Sequence, residues 1–77
     1  MYMEYDRKAE AIYIYLNDEP VDHTEKLDDL RYVDYTFDDT PIGIELLCVS
    51  EGVITNDLPQ RVEVEELLEK HHIKLFA

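Results

Sequence analysis

Two stretches of the chain are strongly apolar, at residues 11–16 and 42–49. Runs of this length that are rich in isoleucine, leucine and tyrosine are typical of buried strands. In the first run the two sides of the strand differ: isoleucine occupies one side, with Ile12 and Ile14, and tyrosine the other, with Tyr13 and Tyr15. Because both sides are apolar or aromatic, both need something to cover them.

Three weaker segments alternate between apolar and polar residues, as strands with one wet face do. They cover residues 2–5, 21–27 and 31–37. Asparagine, aspartate and proline, which favour turns, separate the five segments from one another. The connections are too short for helical crossovers, so we predict an antiparallel β-meander of about five strands over residues 2–50.

After residue 56 the period of the pattern changes from two to about 3.6. Residues at i, i+3, i+4 and i+7 share one face of a helix: Val64, Leu67, Leu68 and His71. We predict a C-terminal amphipathic helix over residues 57–72, with Asp57 as its N-cap and Pro59 in its first turn. Strands followed by one helix give an α+β fold, and the length suits a single domain, residues 1–77. Residues 73–77 are left as either a short strand or a frayed end.

One helix cannot cover both faces of this sheet. A helix of about 14 residues is ~21 Å long and covers two or three strands that lie ~4.8 Å apart. Either the face with Ile12 and Ile14 or the face with Tyr13 and Tyr15 is therefore left uncovered. A second copy of the chain commonly buries such a face, so we expect a homodimer, and the pattern leaves open which face forms the contact.

The charge narrows the classes of partner. Nineteen acidic side chains against seven lysines and arginines give a formal net charge of −12. This charge disfavours direct contact with nucleic acid or with an anionic membrane, and it favours a basic protein partner.

No apolar run approaches the ~20 residues that span a bilayer, and the first residues lack a signal-peptide pattern. A single cysteine, Cys48, also fits a reducing compartment, so we expect a cytoplasmic protein.

The residues that could bind a metal ion do not form a recognisable site. Four carboxylates flank one predicted hairpin: Asp34, Asp38, Asp39 and Glu45. The loop between them lacks the glycine and the spacing of an EF-hand, so we interpret it as a solvated acidic turn. Of the three histidines, His71 and His72 are adjacent and point about 100° apart on a helix, and His23 is distant in sequence. We therefore assign no metal ligand and no cofactor.

We assign no catalytic residue either. Cys48 and Ser50 are nucleophiles by type only, because no nucleophile elbow surrounds them. Cys48 lies in an apolar run and is interpreted as a small buried hydrophobe, and His71 as a packed residue at the edge of the helix stripe. Gly43 allows a bulge or close packing within the last strand.

Several short motifs match a known family in order and spacing. They are Glu4-Tyr5-Asp6, residues 9–14, Leu16, Pro20-Val21, Thr24-Glu25, Val33-Asp34-Tyr35 and residues 42–47. Over residues 2–50 the chain resembles the prokaryotic family catalogued as domain of unknown function 2283. This resemblance implies a compact β-rich cytoplasmic domain, and it brings no activity and no catalytic residues. The chain departs from the family pattern at Glu10, where aspartate is usual, and at residues 38–41, which lack the usual glycine and suggest a longer, proline-limited loop.

Two classes of function stay open. The first, which we favour, is a non-enzymatic acidic domain that acts through protein contacts as a homodimer. In its sharper form the domain is an antitoxin-like or inhibitory partner of a basic protein. The alternative is a small enzyme, or a ligand- or cation-binding protein, whose site forms at the dimer interface where the acidic turns of two copies meet.

Overall fold

A computed structural model describes residues 1–76 of the 77-residue chain. The elements are β1 (Tyr2–Asp6), β2 (Ala11–Tyr15), β3 (His23–Asp28), β4 (Arg31–Tyr35), β5 (Pro41–Leu46), a 3-10 turn (Val49–Glu51) and α1 (Arg61–Lys70). The strands form one five-stranded sheet in which every neighbouring pair is antiparallel. The predicted α+β fold, a five-stranded antiparallel sheet followed by one C-terminal helix, is confirmed.

The order of strands across the sheet is β1-β2-β5-β4-β3. Strands β3, β4 and β5 form a meander, whereas β2 pairs with β5 and not with β3, so the order differs from a fully consecutive one at this connection. The two most apolar strands, β2 and β5, thereby become neighbours near the middle of the sheet. The polar strand β3 lies at an edge, where its charged side chains disfavour pairing with other chains.

The isoleucine side of the sheet faces the core. Ile12, Ile14 and Ile44 are at most 1% exposed, and they pack in one cluster with Val64 and Leu68 of α1. The segment between β5 and α1 completes the cover with three further buried side chains: Val49, Val53 and Leu58. Helix α1 and this segment therefore cover the centre of one side of the sheet, and the side that carries Tyr13 and Tyr15 is the uncovered one.

The helix is shorter than predicted at both ends. Its N-cap is Gln60 and not Asp57, and it spans Arg61–Lys70. Ahead of it, the Leu58 amide donates to the Thr55 carbonyl at 3.2 Å and closes a turn that places Leu58, only 5% exposed, in the core. Burying a leucine side chain stabilises by about 1.5–3 kcal/mol, whereas a cap contributes about 1 kcal/mol, so burial outweighs the capping preference of Asp57.

The C-terminal end of α1 corrects the interpretation of His71, which is exposed and not packed. His72 adopts the left-handed region with φ 60°, and the Ile73 amide donates to the Leu68 carbonyl at 2.9 Å. These are the features of a Schellman-type helix end, in which the chain reverses just beyond the last turn. The reversal ends the helix at Lys70, so His71 does not continue the predicted apolar stripe.

The last described residues form backbone pairs with the segment after β5. Leu75 forms a parallel bridge with Val53, and the Phe76 amide donates to the Val53 carbonyl at 3.0 Å. Of the two outcomes left open for residues 73–77, a paired segment is observed as far as Phe76. Ala77 lies outside the described residues.

Cys48 is exposed, so its interpretation as a buried hydrophobe is wrong. Strand β5 ends at Leu46, and Cys48 adopts a left-handed conformation with φ 52° and ψ 43°. This conformation redirects the chain and places Val49, 2% exposed, in the core. The apolar pattern over residues 42–49 predicts a longer strand because both the strand and the following turn supply core residues.

Candidate protein-binding face

The side of the sheet away from α1 carries two rows of residues that cross all five strands. The strand register gives the first row as Tyr2, Tyr15, Gly43, Asp34 and Thr24, and the second as Glu4, Tyr13, Glu45, Tyr32 and Lys26. We call these ten residues the tyrosine face. Alternation along each strand produces it, because the neighbouring positions point into the core.

The aromatic rings of the tyrosine face contact one another across β1 and β2. The rings of Tyr2 and Tyr15 stack with centroids 4.5 Å apart, and Tyr13 meets Tyr15 edge-on at 4.7 Å. Such pairs contribute about 0.5–1.5 kcal/mol each beyond the area they bury. The rings therefore have defined positions relative to one another.

Two tyrosine hydroxyls donate to carboxylates on other strands. The Tyr13 hydroxyl donates to Asp34 Oδ2 at 2.5 Å, and the Tyr15 hydroxyl donates to Glu4. The Thr24 hydroxyl donates to the second oxygen of Asp34. Asp34 thereby connects β2 with β3 across the sheet, and the polar ends of the rings have defined positions.

These contacts also set the protonation of the two phenols. Burial raises the pKa of Tyr13, and the hydrogen bond to Asp34 and the charge of that carboxylate raise it further. The hydrogen bond to Glu4 raises the pKa of Tyr15. Both side chains are protonated at neutral pH and donate these hydrogen bonds.

Tyr13 packs closely over Gly43. A Cβ atom at position 43 would lie 1.9 Å from the Tyr13 hydroxyl oxygen and 2.3 Å from Tyr13 Cζ. The register also shifts next to this residue, because Asp34 is opposite Gly43 while Tyr35 is opposite Pro41. Both features predicted for Gly43, a bulge and close packing, are therefore present.

The tyrosine face is negatively charged. It carries Glu4, Asp34 and Glu45 against one cation, Lys26, whose ammonium pairs with Asp29 at 2.9 Å. Glu45 is exposed and lies opposite Tyr13 on one side and Tyr32 on the other. An exposed carboxylate thus lies between two aromatic rings in the middle of the sheet.

The four carboxylates that flank the β4–β5 hairpin in the sequence do not converge. Asp34 and Glu45 belong to the tyrosine face, Asp38 accepts from two threonine hydroxyls within the turn, and Asp39 faces His23. Within residues 1–76, no group of three or more histidine, cysteine, aspartate or glutamate side chains is placed to hold a metal ion.

The two residues with nucleophilic side chains that the sequence offered lie away from the tyrosine face. Cys48 and Ser50 are both exposed near the 3-10 turn, and the Ser50 hydroxyl donates to Glu10. Glu10 is the position where the family resemblance expects aspartate, and its carbonyl also accepts the Val49 amide at 3.0 Å. These contacts fasten the 3-10 turn to the β1–β2 hairpin.

The sequence pattern gives no sign of a cluster around His23. Its Nδ1 lies 2.9 Å from Asp22 Oδ2, its Nε2 lies 3.0 Å from Asp39 Oδ1, and its ring stacks on Tyr35 at 5.5 Å. Asp39 reaches it because the five-residue turn after β4 places this aspartate at φ 64°, in the left-handed region that glycine favours. Only the pairing of β3 with β4 brings these groups together.

The His23 cluster predicts how stability depends on pH. The hydrogen bond to Asp22 raises the pKa of His23, and the charge of Asp39 adds to this against an opposing effect of burial. A raised pKa in the folded state stabilises below the unfolded value of about 6.5, and this contribution is lost as pH rises through the folded value. We expect the free energy of unfolding to lose this contribution as pH rises above about 6.5 and through the raised folded-state value.

The measurement is urea unfolding at half-unit pH intervals. His23→Gln should flatten the pH dependence in this window, and His71→Gln, at an exposed site, should leave most of it in place. The pKa values of Asp28, Asp38 and Glu65 are lowered by hydrogen bonds, from Leu30, Thr36 and Thr55 respectively, so these groups act only in acid. An unchanged slope in His23→Gln would show that the cluster does not bind the proton.

No helix within residues 1–76 has the length and apolar character that crossing a membrane requires.

Comparison with known proteins places the sheet in a family. A family model described as "Protein of unknown function (DUF2283)" matches residues 3–50, which include all of β2 to β5 and β1 apart from its first residue. Helix α1 lies beyond the match. No curated protein and no solved structure matches the chain. The match covers more than half of the 77 residues, and the chain therefore belongs to the DUF2283 family of proteins of unknown function.

Proposed function

We propose that this domain acts through protein contacts and that its tyrosine face binds a basic partner protein. The observation that supports the proposal is that the two sides of the sheet are covered to different extents. The centre of one side is covered by α1 and the segment before it, while no segment within residues 1–76 packs over the tyrosine face. A rigid, open sheet surface of this kind is suited to a partner.

The chemistry of the face specifies the kind of partner. Tyrosine is enriched at protein interfaces and among the residues that dominate binding energy, because its ring is apolar and its hydroxyl stays polar. Arginine and lysine side chains stack on such rings and pair with the carboxylates between them. The net charge of −12 attracts a basic surface over a longer range and speeds encounter.

The hydrogen bonds within the face reduce the entropy lost on binding. Tyr13 and Tyr15 are already held by Asp34 and Glu4, so fewer side-chain rotamers are lost when a partner docks. Glu45 makes no side-chain hydrogen bond within the described residues and is free to meet a cation of the partner.

In its sharper form the proposal is that the domain inhibits this basic partner, as an antitoxin does, in the cytoplasm. The location rests on the exposed lone thiol of Cys48, which a reducing compartment keeps free. Inhibition predicts that co-expression of the domain restores growth to cells in which the partner alone is harmful.

The decisive experiment compares two charge reversals that change the net charge equally. Glu45→Lys alters the centre of the tyrosine face, and Glu66→Lys alters the exposed side of α1. Each immobilised variant is incubated with an extract of its native cell, and captured proteins are quantified by mass spectrometry. We expect a basic protein to be retained by the wild type and by Glu66→Lys, and to fall at least tenfold with Glu45→Lys, about 1.4 kcal/mol.

Two results would contradict this proposal. Equal loss with both variants would indicate attraction to the overall charge without a specific face. Retention by Glu45→Lys would place the contact elsewhere on the domain.

A second copy of the chain is the other candidate for the tyrosine face, since the homodimer expected from the sequence would also cover it. Pairing two copies through this face would bring six carboxylates together, two each of Glu4, Asp34 and Glu45. Salt should therefore strengthen self-association, whereas it should weaken the complex with a basic partner. Light scattering at micromolar concentration and rising NaCl separates the two, because a dimer has twice the 9.1 kDa chain mass.

The same measurement tests the alternative of a cation-binding or enzymatic site between two copies. In that case Mg²⁺ or Ca²⁺ at low concentration, and not NaCl at equal ionic strength, should produce the dimer mass.

A further inference from the structure

A groove opens at the end of the sheet where β4 begins and β5 ends. It has a volume of about 480 Å³, and the turn before β4, the end of β5, the segment after the 3-10 turn and the last described residues line it. Ligand sites in proteins have volumes of about 300–1,000 Å³. Leu46 and Arg31, which are opposite each other in the register, place the groove on the helix side of the sheet, away from the tyrosine face.

The floor and walls of the groove are apolar and accessible. Leu30, Ile54 and Phe76 are 41%, 42% and 51% exposed, and all three line it together with Leu47. The Phe76 ring packs over Gly52, where a Cβ atom would lie 2.9 Å from Phe76 Cε2. Three large apolar side chains are therefore partly exposed around one concave surface, which is typical of an interaction site.

Arg31 holds the shape of this groove. Its Nε donates to Asp28 at 2.9 Å, and its Nη1 donates to the carbonyl oxygens of Ile54 and Asn56 at 2.9 and 2.5 Å. The guanidinium group is thus committed to the wall, and its side chain is only 11% exposed. Its positive charge is neutralised within the fold and does not face a ligand.

The rim of the groove keeps acidic groups that are accessible. The Asp29 side chain is 92% exposed, with Lys26 as a solvated partner, and such surface pairs contribute little. Glu51 is exposed and forms no ion pair among the described residues. Two carboxylates thus border an apolar groove whose lining cation, Arg31, is already paired, and the Lys74 ammonium lies 5.9 Å from the Phe76 ring centroid at one end of it.

We propose that this groove binds a peptide segment of a partner protein in which large apolar side chains are flanked by lysine or arginine. The apolar side chains fill the space between Leu30, Ile54 and Phe76, and the flanking cations meet Asp29 and Glu51. This inference is independent of the tyrosine face, because it concerns the other side of the sheet and a different set of residues.

The probe is a blocked hexapeptide, acetyl-Gly-Lys-Phe-Leu-Lys-Gly-amide, titrated into the ¹⁵N-labelled chain and followed by NMR. We expect saturable shifts at the amides of Leu47, Gly52 and Ile54. Replacing both lysines of the peptide with glutamate, or Phe-Leu with Ser-Ser, should weaken binding at least fivefold.

Two pairs of matched variants test the residues of the groove. Ile54→Ser should weaken binding at least fivefold, while Val62→Ser, at an exposed apolar residue of α1, should stay within twofold. Glu51→Lys should weaken it at least threefold, while Glu66→Lys, with the same change of net charge, should stay within twofold. Glu45→Lys, on the tyrosine face, should also stay within twofold, which separates this site from the proposed function. A melting curve for each variant verifies that it is folded.

Four results would overturn the inference. Shifts confined to the tyrosine face, or absent at 5 mM peptide, would mean that the groove does not bind such segments. Equal weakening of peptide binding by Glu51→Lys and Glu66→Lys would mean that the peptide responds to the net charge of the domain and not to the rim of the groove. Groove shifts that depend on protein concentration without peptide would make a second copy of the chain the occupant.

Discussion

Replacing Ile14 with alanine is expected to lower the free energy of unfolding by about 2–5 kcal/mol. Ile14 is fully buried and lies opposite Met3 of β1 and Ile44 of β5, near the middle of the core cluster. The substitution removes apolar area and leaves a cavity that both neighbouring strands can fill only in part. A domain of this size has a total stability toward the low end of about 5–15 kcal/mol, so the loss is a large fraction of it.

Urea unfolding followed by circular dichroism measures this effect, and Val21→Ala is its control. Val21 is 54% exposed and precedes β3, so its truncation should change the free energy of unfolding by less than about 0.5 kcal/mol. If Val21→Ala proves as costly as Ile14→Ala, the assignment of the isoleucine side to the core is incorrect.

The sequence predicts well those elements whose pattern of apolar and polar residues is compatible with only one type of secondary structure. Five strands and one helix follow from periods of two and 3.6, and the apolar runs around Ile14 and Ile44 identify the central strands. The period of the hydrophobic pattern does not reveal which strands are neighbours in the sheet, since the pattern of β2 fits next to more than one of the other strands. The order β1-β2-β5-β4-β3 is a property of the whole sheet, in which two apolar strands avoid the edges.

The N-terminal end of the helix differs from the prediction for a related reason. Asp57 and Pro59 form a good local start signal, and a residue-by-residue preference favours them. Leu58, lying between them, is required in the core, and only tertiary packing decides this. Cys48 and Val49 show the same conflict, because the apolar pattern is continuous while the strand ends at Leu46.

For the tyrosine face, the sequence predicts that the aromatic rings lie on one side of the sheet, but it does not predict their hydrogen-bond partners. Alternation places Tyr13 and Tyr15 together on one side of the sheet. A single helix of this length covers only one side, so the sequence leaves open whether the tyrosine side or the isoleucine side is uncovered. Their carboxylate partners, Asp34 and Glu4, are on β4 and β1, and only the register brings them to the hydroxyls. Acidic residues at alternate positions of neighbouring strands are a weak signal that could have indicated them.

Gly43 connects the fold with this face, and Gly43→Ala is the second large effect that we expect. The new methyl group would occupy the space of the Tyr13 ring, which would have to move and give up its hydrogen bond to Asp34. Inserting an atom into a well-packed site typically costs about 1–3 kcal/mol, and the better strand propensity of alanine offsets about 0.5–1 kcal/mol of that. The single substitution should therefore destabilise, and the displaced ring should also weaken binding of the partner at the tyrosine face.

The same substitution should change sign when Tyr13 is absent. In a Tyr13→Ala background no ring lies over position 43, so only the propensity of alanine acts, and Gly43→Ala should be neutral or stabilise by up to about 1 kcal/mol. Urea unfolding of the wild type, both single variants and the double variant gives the coupling energy between the two positions directly. A cost of Gly43→Ala that is the same with and without Tyr13 would mean that the backbone, and not the ring, requires glycine. The close contact over Gly43 would then play no part in holding Tyr13 ready for a partner.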